Sequence, residues 1–199
     1  MKPKKCRVCQ TEYTPARMGQ KVCSPGCAIQ DVQKTKLREY RKETRELKEK
    51  IKTTAQRKTA AQNAVNRYVK ARDRLRFLSQ GKRPECISCG NTNPAIQYCA
   101  GHYKTRGAHP ELALDPKNIH LQCNKRCNEQ LSGNINGDKT TRGYNAGIVA
   151  WYGEDEGSQL IEYLTKYHPP KNYTHEDLEE IRKKYNKLAL ECEKMILKC

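Results

Sequence analysis

Apolar positions along this chain recur mostly at three- and four-residue steps, the spacing of one face of a helix. Residues 28–79 contain neither Gly nor Pro and are rich in Lys, Arg, Glu, Gln and Ala, all good helix formers. Within them Leu37, Tyr40, Leu47, Ile51, Ala61, Val65, Tyr68 and Leu75 trace a stripe, broken where Thr44, Thr54, Lys58 and Arg72 take its places. The pattern predicts an amphipathic helix or helical pair, interrupted near Thr53-Thr54. Its apolar stripe suits either a seam for a second copy or a cover for the other modules. Further on, Ile148, Val149 and Trp151, then Leu160, Ile161, Tyr163 and Leu164, predict more helix. Beyond Pro169-Pro170, Thr174 and Asp177 stand at capping-box positions and start a helix over about 175–197. Leu178, Ile181, Tyr185, Leu188, Cys192 and Met195 share one face of it, a packing stripe rather than a cofactor site.

Composition changes this picture in two ways. Only 36% of residues are hydrophobic, with one Phe and one Trp beside 11 Tyr, which speaks against one large apolar core. The formal charge is +17, concentrated in the first three quarters of the chain and densest in the helical stretch, whereas residues 151–199 are slightly acidic. Lys and Arg at such density displace counterions from nucleic acid, so a polyanion is the expected partner. No run approaches the ~18–20 apolar residues of a membrane span, and residues 1–30 lack the apolar stretch of a secretory signal. Eleven cysteines in such a chain read as reduced thiols and metal ligands of a cytoplasmic protein.

The cysteines fall into two sets. Cys6 and Cys9 are followed after 13 residues by Cys23 and Cys27; Cys86 and Cys89 are followed after 33 residues by Cys123 and Cys127. Each set supplies four thiolates for one tetrahedral Zn²⁺, and a closed four-thiolate site holds shape without performing chemistry. Residues 1–30 are too short to fold without their metal. Cys99, Cys192 and Cys199 belong to no close pair. The chain thus divides into a four-cysteine zinc knuckle (1–30), a long basic helix or helical pair (31–80), a second zinc module (81–137) and a C-terminal helical region (138–199). The fold class is α+β, small zinc modules joined by long helices.

Chemistry must then come from polar residues between and beside the second cysteine pairs. Gly101-His102 follows the first pair, Asn118 lies five residues before Cys123, and Asn128 directly follows Cys127. In order and spacing this resembles the zinc-bearing His-Asn-His (HNH, ββα-metal, treble-clef) nucleases over about fifty residues. More narrowly, AGHYKTRGA, NIHLQC and CNEQLSGN resemble the lambdoid phage NinG / Rap recombination protein family. The resemblance implies a structure-specific, metal-dependent endonuclease of the host-cell cytoplasm that cuts branched DNA such as Holliday junctions and D-loops.

The residue types suit that chemistry. Neutral imidazole accepts a proton from water near physiological pH, which makes His102 the candidate general base. A Mg²⁺ or Mn²⁺ ion would stabilise the leaving oxygen, and the Asn128 amide oxygen suits such an ion. Asn118, as the resemblance implies, fixes the loop or orients His102. Lys104 and Arg106 are candidates for holding phosphate, Arg as a fork and Lys as a point charge, and Lys125 and Arg126 join them as substrate-binding candidates. Many HNH nucleases carry Asp before the base where this chain has Gly101. That leaves the metal one ligand short, so His102 could be ligand instead of base, and His109, His120, Glu111 and Asp115 stand as substitutes. Symmetric cutting of a four-way junction needs two active sites, hence an expected homodimer. The competing readings are a non-catalytic zinc protein that binds DNA and an RNA-binding zinc protein.

Overall fold

The computed structural model describes residues 1–130 and 134–199; part of the CNEQLSGN motif, residues 131–133, lies outside the described residues. The chain divides into two units, Met1–Thr53 and Thr54–Cys199. This division cuts the basic helical segment expected over 31–80. The first helix joins the N-terminal knuckle and the second joins everything that follows.

In the first unit, β1 (Lys4–Lys5) pairs antiparallel with β2 (Glu12–Tyr13) around the turn that carries Cys6 and Cys9. The Ser24 hydroxyl accepts a hydrogen bond from the Cys27 amide and starts α1 (Pro25–Lys50), with Pro25 in its first turn. The helix closes with Lys48 and Lys50 near its carbonyl end, where positive charge is favoured. No residue of α1 is buried: Leu37, Tyr40, Leu47 and Ile51 of the predicted stripe all stay exposed.

In the second unit, α2 (Thr54–Leu78) begins where the sequence predicted the interruption. It packs against α5 (His175–Ile196), whose capping box is formed in both directions between Thr174 and Asp177. Between these helices and the pair α3 (Gly143–Tyr152) and α4 (Glu154–Thr165) lies an antiparallel hairpin of β3 (Tyr98–His102) and β4 (Ile119–Cys123). One face of the hairpin joins Ile119 to Ala61, Val65, Val69, Leu114 and Leu178. Beyond the other face lie Ile87, Tyr103, Tyr144, Ile148 and Leu164. Burying apolar side chains on both faces compensates for the modest hydrophobic content.

Arg72, which interrupts the apolar stripe of α2, proves to be a latch. Its guanidinium donates to the carbonyl oxygens of Pro116 and Ile119 at 3.0 and 2.9 Å and to the carboxylate of the fully buried Asp73 at 2.7 Å. Asp73 in turn accepts from the Leu121 amide at 2.7 Å. Two of these bonds satisfy backbone groups of β4, the Ile119 carbonyl and the Leu121 amide, and the bond to Pro116 ties Arg72 to the turn before the strand. Gly147 is required where α3 crosses the second zinc turn, because a Cβ there would overlap the Ile87 carbonyl, with the carbonyl carbon at 2.7 Å. Directly after Cys123 the chain forms a seven-residue π-helical turn, Asn124–Gln130, holding the buried Cys127. Among the described residues no helix is long and apolar enough to cross a membrane.

Candidate active site and metal centres

The two cysteine sets are built on one turn design. The Cys6 carbonyl accepts from the Gln10 amide, and the Cys86 carbonyl from the Gly90 amide, with positive φ at both Gln10 (60°) and Gly90 (67°). Cys6 and Cys86 donate their own amides to Thr11 and Asn91 carbonyls, while Arg7 and Ile87 donate to Lys21 and Leu121. The sulfurs of Cys6 and Cys86 accept from the amides of Cys23 (3.4 Å) and Cys123 (3.3 Å).

Within each tetrad all four sulfurs lie within 4.8 Å of one another. The separations Cys9–Cys23 (3.5 Å), Cys23–Cys27 (3.7 Å) and Cys89–Cys123 (3.8 Å) are near the ~3.8 Å edge of a tetrahedron with Zn–S bonds of ~2.3 Å. Burial pushes the Cys86 thiol up to about 12, and neighbouring cysteines reinforce the shift. Burial raises Cys127 as well, whereas hydrogen bonds lower Cys6 and Cys9; in either tetrad four thiolates this close repel one another unless a cation stands among them. Both tetrads therefore suit structural zinc.

His102 ends β3 on the face that meets α2. Its Nε2 lies 3.2 Å from the Ala113 carbonyl oxygen, and the Gln62 amide of α2 is 3.4 Å from the same nitrogen. The Ala113 carbonyl, which only accepts, favours the tautomer with its hydrogen on Nε2, whereas the Gln62 amide nitrogen, which only donates, favours a lone pair there. Burial drives the imidazole down to about 4, aided by the Arg106 charge and opposed by the Ala113 and Ala100 carbonyls. At neutral pH the ring is uncharged.

His102, Arg106 and Asn128 line one cleft of about 360 Å³, together with Asn66, Thr105 and Glu129. Nitrogen and oxygen donors, a carboxylate and a guanidinium thus converge, a donor set that fits a hard divalent cation beside phosphate. Asn118 is fully buried and touches the loop, not His102. Its Oδ1 accepts from the Lys104 amide at 2.8 Å, while its Nδ2 donates to the carbonyls of Lys104 (3.0 Å) and Leu112 (3.1 Å). Of the two roles the resemblance implies for Asn118, this bonding is that of a loop brace: it fixes the segment that presents the Ala113 carbonyl to His102.

Other candidates stand elsewhere. Lys125 and Arg126 border a different cleft with Asn91, Ala95, Ile96 and Gln97. The Lys104 ammonium lies 6.0 Å from the Tyr103 ring centre. His120 is fully buried, with Tyr144 and Tyr152 hydroxyls at 3.0 and 2.9 Å from its ring nitrogens. His109 pairs with Glu111 at 2.9 Å. Asp115 accepts from the Lys117 amide and the Tyr163 hydroxyl. Glu129, Asn66 and Thr105 entered the cleft without having been singled out in the sequence. Adjacency to Asn128 was the available signal for Glu129, whereas Asn66 comes from a distant helix.

Comparison with known proteins adds the following. A family model described as "Bacteriophage Lambda NinG protein" matches residues 1–194. Protein ninG of Escherichia phage 933W is 30% identical over 203 residues, spanning 92% of this chain and 90% of that protein. Protein ninG of Salmonella phage P22 is 45% identical over 75 residues, 38% of this chain and 32% of its own. Protein ninG of Escherichia phage lambda is 32% identical over 125 residues, 63% of this chain and 52% of its own. No solved structure matches.

Proposed function

The chain belongs to the bacteriophage NinG family, and from that premise we propose that it is a metal-dependent, structure-specific endonuclease cutting branched DNA during phage recombination in the host cytoplasm. The observation that carries this reading is the convergence of His102, Asn128 and Arg106 on one cleft beside a thiolate-clamped turn, the arrangement expected of an HNH-like, ββα-metal core.

In this mechanism His102 takes the proton of the attacking water on Nδ1, in the tautomer whose Nε2 hydrogen is donated to the Ala113 carbonyl. Arg106 neutralises and orients the phosphate as a fork. Asn118 keeps the loop, and with it the Ala113 carbonyl, in position. The Asn128 amide oxygen would hold a Mg²⁺ or Mn²⁺ ion, and such an ion would supply charge stabilisation for the leaving oxygen. Lys104, Lys125 and Arg126 contact DNA strands outside the cut.

Backbone contacts dominate the binding. On α1, Lys34, Arg38, Arg41, Arg45 and Lys48 follow three- and four-residue steps, so they form one exposed basic stripe. Glu39, Glu43 and Glu46 lie on the other side of the helix. Such a stripe reads phosphates, and hence shape, not base sequence. The uncovered Leu37, Tyr40, Leu47 and Ile51 beside it form the seam for a second copy, giving a homodimer with one active site per strand to be cut.

The test is incubation of the zinc-loaded protein with labelled four-way junction, linear duplex and stem-loop RNA, in Mg²⁺ or EDTA. The expected result is junction cleavage only with the ion, abolished in His102→Ala while junction binding persists. Cleavage by His102→Ala at the parent rate overturns the base assignment. Junction binding without cutting under any metal overturns the enzyme reading in favour of a DNA-binding zinc protein, and preference for the RNA does so in favour of an RNA-binding one.

A further inference from the structure

If the cleft works as an endonuclease site, its divalent ion has a neutral amide from Asn128 and a neutral imidazole nearby. Hard cations favour charged oxygen, and HNH-like nucleases with Asp before the base supply it there. This chain cannot. A Cβ at Gly101 would lie 2.8 Å from both Cβ and Cδ of the buried Gln122. Side chains also alternate along a strand, so a residue at 101 faces away from the side His102 occupies. The charged ligand has to come from another element.

Most carboxylates near the hairpin are committed. Asp73 holds Arg72 and the Leu121 amide, Asp115 holds Lys117 and Tyr163, and Glu111 holds His109. Among the described residues lining the cleft, Glu129 is the one carboxylate. It follows Asn128 on the π-helical turn, and the Asn124 side-chain amide donates to its Oε1 at 2.8 Å, which steadies an otherwise exposed side chain. A wide π turn brings consecutive residues to one rim in a way an α-helical turn does less well, and such turns recur at functional sites.

We propose that Glu129 is the anionic ligand of the catalytic divalent ion, standing in from the end of β4 for the carboxylate that Gly101 excludes from β3. The inference rests on the endonuclease reading for the identity of the cleft, but its test does not use cleavage. Mn²⁺ binding to the zinc-loaded full chain is measured by the loss of the free-ion electron paramagnetic resonance signal, without DNA. The parent is expected to bind one Mn²⁺ beyond its zinc, Glu129→Gln at least tenfold more weakly, Glu129→Asp in between, and Glu111→Gln as the parent does.

Parent-like binding by Glu129→Gln, or no binding by the parent, overturns the assignment. A parent that fails to bind Mn²⁺ alone yet cuts junctions in Mg²⁺ overturns it while leaving the endonuclease reading standing. Loss of Mn²⁺ binding in Glu129→Gln, in a protein that cuts nothing, supports the metal site and sinks the endonuclease reading.

Discussion

Replacing Gly101 by Ala tests whether the hairpin leaves any room at the position where the HNH nucleases that this segment resembles carry a ligand. The added methyl would sit 2.8 Å from Gln122 Cβ and Cδ, about an ångström inside ordinary carbon contact. The far end of Gln122 can swing, but its Cβ cannot without moving β4. Forcing an extra methyl into a packed site costs about 1–3 kcal/mol. Swinging the amide also breaks its 2.6 Å bond to the buried Ser88 hydroxyl, worth a further ~1–3 kcal/mol. Gly101→Ala should therefore destabilise the second unit by roughly 2–6 kcal/mol, read from urea unfolding of the zinc-loaded protein followed by the Trp151 fluorescence. The decisive comparison is with Gln122→Gly, since Ala at 122 would retain the offending Cβ. In that background Gly101→Ala should cost less than about 1 kcal/mol, a coupling of over 1 kcal/mol between the sites. An unfolding midpoint for Gly101→Ala equal to the parent's, or equal costs in both backgrounds, would refute the steric reasoning and with it the exclusion of a carboxylate from this place.

Other expectations follow from the same geometry. Burial holds His102 down to about 4, against ~6.5 in an unfolded chain, so unfolding takes up a proton between those values. The stability this group contributes is complete above pH ~6.5 and declines as pH falls toward 4, with about 2 kcal/mol lost by pH 5; His102→Gln should lose correspondingly less between pH 7 and pH 5, and equal losses would contradict this. Exchanging Lys34, Arg38, Arg41, Arg45 and Lys48 for Gln should flatten the slope of log affinity for DNA against log salt by about 4 to 5, at roughly 0.9 per phosphate contact; an unchanged slope removes α1 from the interface. Chelator titration should release two zinc ions per chain, one from each tetrad. Cys6→Ser should release one and keep the cooperative unfolding of Thr54–Cys199, whereas Cys86→Ser should lose that transition. Asn118→Ala, which strips three hydrogen bonds from a buried side chain, should cost about 2–4 kcal/mol and, on the proposed function, lower cleavage by slackening the loop.

Much of the architecture is legible in the sequence because it follows local rules. The cysteine spacings mark both tetrads, Thr174 with Asp177 marks the start of α5, and the absence of Gly and Pro over 28–79 marks the helices on either side of Thr53. What is hidden depends on contacts between distant segments. Arg72 reads as a flaw in a stripe until β4 arrives to receive its hydrogen bonds, and His120 reads as a candidate ligand until two tyrosines of α3 close over it. The cleft is only half visible. His102 and Asn128 carry motif spacing, but Asn66 reaches it from α2, and Glu129 enters because the turn after Cys123 is π-helical, a geometry that no residue pattern announces. Lys125 and Arg126 border another groove, a placement that their position between Cys123 and Cys127 does not reveal.

The two zinc turns share their hydrogen bonds residue for residue, yet one encloses 13 residues between its cysteine pairs and the other 33. The additional length is spent on β3, His102 and the loop pinned by Asn118. The N-terminal clasp, which has no histidine between its pairs, is thus the blank of the C-terminal one: the same fastening without the histidine-bearing strand. The His102 cleft is in effect a cassette mounted on a generic metal buckle, so its polar groups can be re-specified without renegotiating how the buckle folds.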